Sequence, residues 1–159
     1  MKQDIERLKF LLSVGEKEQK HLNHTTHNLK AENIDELWVK ALEGNYVLSE
    51  RLDAFVARFG RFQDHLGDKL IPELIKLMLE KPSSALDNLN RMEKLGVLRS
   101  VDEWVKVRWL RNKLIHEYVV DSAEFALALK QAIQAVELLN KTADSLREYA
   151  QRFFVEDYN

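Results

Sequence analysis

Apolar residues recur along this chain with the spacing of helices. Ile5, Leu8, Leu12, Gly15, Leu22 and Leu29 fall on a rough 3.6-residue stripe, which predicts an amphipathic helix from about Asp4 to Leu29. The stretch KAENIDELW is mostly polar; Asn33 and Asp35 mark a break and a new helix start. A second stripe runs through Leu48, Leu52, Phe55, Val56, Phe59, Leu66 and Leu70 toward Leu77 and Met78, interrupted by Gly60, Gly67 and Pro72. An interior proline removes a hydrogen bond and crowds the preceding turn. One helix kinked near Ile71, or two helices meeting there, is therefore expected. Lys81-Pro82-Ser83-Ser84 reads as a loop, followed by a short helix from Ala85 to Leu95 that stops at Gly96. Ser100 and Glu103 stand three apart in the capping-box pattern and open the next helix. From Ser122, Phe125, Leu129, Ala132, Ile133, Val136, Leu139, Ala143, Leu146 and Phe153 keep helical period over some thirty residues. No segment alternates as a strand. The pattern predicts an all-α antiparallel bundle of about five helices, in one domain covering residues 1–159, kinked near Pro72.

Composition agrees. With 45% apolar and 31% charged residues, the chain has an ordinary globular balance, and 5 Gly and 2 Pro leave little material for the turns of a β protein. There is no cysteine, which excludes disulfides and thiolate metal sites and fits a reducing, cytoplasmic setting. The N-terminal MKQDIERLKF lacks an apolar signal core, and no run approaches the ~18 apolar residues of a membrane span. Net charge is −2, so any contact with nucleic acid has to come from a local patch.

Such a patch lies between Arg91 and Lys113, where seven basic residues are offset by Glu93, Asp102 and Glu103, leaving +4. Within it begins RNKLIHEY, residues 111 to 118. Arg108, Asn112 and His116 are four apart, and with Arg111 they can point toward one side of a helix. These groups suit phosphate chemistry. Arginine presents a rigid, permanently charged fork of donors. Histidine exchanges a proton near neutrality. Asparagine can donate to a phosphate or hold the histidine in one orientation. With no carboxylate cluster to hold Mg²⁺, the simplest reaction is metal-free attack of a ribose 2′-OH on its neighbouring phosphate. A single histidine does not serve readily as both base and acid, so the chemistry favours two copies facing across a dimer. The plainer alternative remains open: a surface arginine with a core or capping histidine is the commoner origin of such spacing. Trp104 and Trp109 are candidate base-stacking platforms, or core. HLNHTTH, with His21, His24 and His27, offers three imidazoles, but the first and third stand about 240° apart round an ideal helix, which fits a polar face better than a metal site.

Arg111-Asn112-Lys113-Leu114-Ile115-His116-Glu117-Tyr118 resembles the motif of HEPN-domain proteins: arginine, a polar residue, three more, histidine, any residue, tyrosine. It looks most like the HepT-type toxins, which pair with a small MNT-type nucleotidyltransferase antitoxin. The stretches Met92 to Tyr118 and Arg58 to Leu70 share the resemblance. It implies a homodimer with two motifs facing across a cleft, and metal-independent endoribonuclease activity without a cofactor. Arg111 and His116 match the family's catalytic pair, Asn112 its polar position, and Tyr118 the tyrosine to which the partner transfers AMP to silence the toxin. Arg58, Arg61 and Asp64 sit where the family often has polar residues facing the cleft. The resemblance also admits a non-catalytic substrate-binding or scaffold subunit of a nucleotidyltransferase complex. No membrane partner is implied.

Overall fold

The computed structural model describes residues 1–118 and 120–154, and among them every regular element is helical. The elements are α1 (Lys2–Lys30), α2 (Glu36–Lys40), a 3₁₀ turn (Ala41–Gly44), α3 (Tyr46–Asp64), a π-helical segment (His65–Leu70), α4 (Ile71–Leu77), α5 (Ala85–Lys94), α6 (Val101–Glu117), α7 (Ser122–Ala150) and a 3₁₀ turn (Gln151–Phe153). The expected all-α bundle is what the chain forms.

Four long helices close a ring in the order α1, α3, α6, α7, each packed on its two neighbours. Side-chain bonds give their directions. His21 and Thr25 of α1 meet Arg58, Leu11 meets His65, and Arg7 meets Glu73, so α1 runs antiparallel to α3 and its continuation. Arg111 meets Asp64 while Arg108 meets Asp68, so α6 runs antiparallel to α3. Gln19 bonds Arg147 and Asn140, and Asn140 also reaches Asn23, which sets α1 against α7 in the same sense. The short turn after Glu117 folds α7 back on α6. Every neighbour in the ring is thus antiparallel.

The ring closes on one continuous apolar cluster. Trp104, Phe55, Phe59, Phe62 and Phe125 lie fully inside it. Burying each of these rings stabilises the fold by roughly 1.5–3 kcal/mol. Local signals set the helix ends: Asp35, Asn45, Ser84, Ser100 and Asp121 each accept a backbone N–H as N-caps. Gly96, with φ +74°, follows α5 in the left-handed region that only glycine adopts freely.

The expected break near Ile71 takes a particular form. The chain does not stop between α3 and α4; it widens into one π-helical stretch just before Pro72. Proline has no N–H to donate, and its ring crowds the carbonyl four residues earlier. A wider turn relieves that crowding without ending the helix. This stretch also carries Gly67, over which Trp104 packs. No helix among the described residues is long and apolar enough to cross a membrane.

Candidate functional site

The RNKLIHEY residues occupy the last turns of α6 and the turn that follows. Leu110 and Leu114 are buried and anchor the helix, which fixes where the polar groups point. Arg111 leans toward α3. Its Nη1 donates to Asp64 Oδ1 at 2.5 Å, with the two side chains 30% and 35% exposed. The guanidinium packs closely against Gly60: a Cβ there would stand 2.8 Å from Arg111 Nε and 3.2 Å from Cζ. Gly60 and Asp64 are one helical turn apart on α3, so a bare backbone and a carboxylate together form the cradle for this arginine. One turn earlier on α6, Arg108 Nη1 lies 3.7 Å from Asp68 Oδ1, a looser and more exposed pairing.

Asn112 and His116 are exposed, and neither side chain makes a hydrogen bond with a described residue. With Arg108 they form a stripe at i, i+4 and i+8 on the outer face of α6. Trp109 lies on this face too, 57% exposed, with the Lys113 ammonium 4.9 Å from its ring centroid. Trp104 is instead a core residue. The structure therefore divides the quartet: Arg108, Asn112 and His116 line the outer face, while Arg111 sits at its α3 edge, about 140° round the helix from His116. Tyr118 follows the helix end, 38% exposed, its ring edge-on to Phe125 at 5.1 Å. It borders an apolar cleft with Leu52, Val56, Ala57 and Ile115.

Of the remaining candidates, Asp64 joins the site through Arg111, whereas Arg58 and Arg61 face the other flank of α3. Arg58 donates to Thr25 Oγ1 and to the His21 carbonyl at 3.1 Å. Arg61 lines a pocket shared with α1. His65, the neighbour of Asp64, points into the bundle, where its Nε2 is 2.7 Å from the Leu11 carbonyl. His21, His24 and His27 lie on the exposed face of α1, and among the described residues no three His, Cys, Asp or Glu side chains are grouped as metal ligands.

The basic strip looks different once folded. Arg91 bonds Glu80, Arg99 bonds Glu103, Arg108 and Arg111 pair with Asp68 and Asp64, and Lys113 pairs with Glu124 at 2.8 Å. Five of its seven cations thus have a carboxylate partner. The hydrogen bonds from Arg91 and Arg99 hold the Glu80 and Glu103 carboxyls below the ordinary glutamate range. Four of these five carboxylates lie outside the strip in sequence, so a local charge count could not see them. Asp68, Gly60 and the α1 residues beside Arg61 escaped the sequence reading. The signal that points to Asp68 is spacing: Asp64 and Asp68 stand four apart, matching Arg111 and Arg108 three apart on an antiparallel helix.

Compared with protein-family models, curated proteins and solved structures, the chain finds no significant match.

Proposed function

We propose that this chain is a HEPN-type, HepT-like endoribonuclease toxin that acts as a homodimer in the cytoplasm without a metal cofactor. The observation that carries the reading is the outer face of α6, where the open imidazole of His116 shares a stripe with Asn112 and Arg108. The Arg111 guanidinium stands at its edge, oriented by Asp64 and Gly60. Arg111 commits one amino group to Asp64, and its remaining donors are available for a phosphate.

In the proposed reaction the ribose 2′-oxygen forms a bond to the adjacent phosphorus as the bond from phosphorus to the 5′-oxygen breaks. One histidine takes the 2′-OH proton. The histidine of the second copy gives a proton to the leaving oxygen, and the products are a cyclic phosphate and a 5′-hydroxyl. Arg111 stabilises the charge that builds on the phosphoryl oxygens. An MNT-type nucleotidyltransferase silences the protein by transferring AMP to Tyr118, whose added phosphate then competes with RNA for the same donors.

Purified protein incubated with RNA in EDTA tests this. His116→Ala and Arg111→Ala are each expected to lower the cleavage rate by about 10²–10⁴-fold while circular dichroism stays helical. Cleavage that survives in both variants rejects the site. A second reading, a non-catalytic binding or scaffold subunit of a nucleotidyltransferase complex, draws support from the ion pairing of Arg108 and Arg111. Wild-type protein inert toward RNA, yet retained by the nucleotidyltransferase, favours it.

A further inference from the structure

The cations that the motif points to are paired, whereas those on the far flank of α3 are not. A pocket of about 150 Å³ opens between α1 and α3, lined by Lys17, Glu18, His21, Arg58 and Arg61. Among the described residues, Lys17, Arg58 and Arg61 form no ion pair with any carboxylate. Arg58 is held in place through Nη1 by the His21 carbonyl and Thr25 Oγ1, which leaves its other donors free to face a ligand. Three positive charges, of which Arg58 is held in place, outnumber the single Glu18 carboxylate around this hollow, and an anion relieves their mutual repulsion. Glu18 adds an opposite feature. Its Oε2 is shut off from solvent and has no hydrogen-bond donor among the described residues. Glu18 also lines the hollow, where a carboxylate accepts a hydrogen bond from a hydroxyl and repels a second anion.

We propose that this pocket binds a ribose phosphate unit, with Lys17, Arg58 and Arg61 on the phosphate and Glu18 accepting from a sugar hydroxyl. The volume sets the class. At about 150 Å³ the hollow is well below the roughly 300–1,000 Å³ of drug-sized ligand sites, so it takes a phosphate and a sugar and leaves any base outside. Arg61 immediately follows Gly60, over which Arg111 lies, so the pocket adjoins the α6 site across the width of one helix. The ribose phosphate comes either from an RNA strand that crosses α3 or from a free sugar phosphate. Only the first source rests on the nuclease reading.

Calorimetric titration of the full-length chain with ribose 5-phosphate and with inorganic phosphate tests the site. Saturable binding is expected in the wild type and in His116→Ala. The double variant Lys17→Gln/Arg61→Gln is expected to weaken both ligands at least about tenfold, since each lost charged hydrogen bond costs about that much. Glu18→Gln is expected to weaken ribose 5-phosphate more than inorganic phosphate. Equal binding by wild type and double variant, or no saturable binding by the wild type, overturns the proposal. A 2′-O-methyl RNA that resists cleavage separates the sources. Weaker RNA binding by the double variant assigns the pocket to the strand, and unchanged RNA binding with lost ribose 5-phosphate binding assigns it to a free sugar phosphate. If the wild type fails to cleave RNA yet binds ribose 5-phosphate through Lys17 and Arg61, the nuclease reading falls and the pocket stands.

Discussion

Gly60 and Arg111 meet at a contact that a methyl group would fill. An alanine at position 60 would place its Cβ 2.8 Å from Arg111 Nε, so the arginine has to move. The backbone need not, because a long flexible side chain gives way more easily than a helix. Alanine also favours a helix interior over glycine by about 0.5–1 kcal/mol. Gly60→Ala is therefore expected to leave thermal stability within about 1 kcal/mol of wild type and to lower RNA cleavage at least about tenfold, read as melting temperature against cleavage rate. Unchanged cleavage would mean that the placement of Arg111 over Gly60 does not matter. Only part of this was legible in the sequence. Arg111, Asn112, His116 and Tyr118 stand out because versatile polar residues crowd an apolar helix. Gly60 read merely as a helix interruption, because its role depends on a side chain 51 positions away in the chain.

At the scale of elements, the stripes and caps carried most of the information. The extents of α1, α5, α6 and α7 follow from apolar period and from Ser100 and Gly96, signals that act over a few residues. Asn45 as the cap of α3 went unread, because the apolar stripe becomes clear only from Leu48. The π-helical segment was also hidden. Pro72 announces a disturbance, but its form depends on what α1 and α6 press against it. His65 reaches the Leu11 carbonyl on one side, and on the other a Cβ at Gly67 would stand 3.3 Å from Trp104 Cζ2. Trp104 is fully buried and cannot withdraw as Arg111 can. Gly67→Ala is thus expected to destabilise the fold by about 1–3 kcal/mol, despite alanine's better helix propensity. Chemical denaturation measures this, and a stabilised variant would show that the π-helical segment has slack.

For the whole molecule, charge is arranged by folding rather than by sequence neighbourhood. The local count of +4 between Arg91 and Lys113 resembles a nucleic-acid track. In the folded chain, carboxylates from α3, the π-helical segment, α7 and the loop after α4 return to meet that strip, whereas Lys17, Arg58 and Arg61 between α1 and α3 have no carboxylate partner among the described residues. On the proposed RNA-binding reading, the pairing of Asp64 and Asp68 with Arg111 and Arg108 sets how binding responds to salt. A polyanion sheds condensed cations in proportion to the net positive charge a protein delivers, not to its number of arginines, with a slope near 0.7 per neutralised phosphate on single strands. With two carboxylates already in place, log affinity should fall only gently as salt rises. Asp64→Asn/Asp68→Asn should steepen that dependence by roughly 1.4, measured by fluorescence anisotropy with a non-cleavable RNA. An identical slope would mean that the strand never approaches these arginines. If the chain captures RNA across this face as proposed, such internal neutralisation makes that contact less sensitive to osmotic swings in a cell's ionic strength.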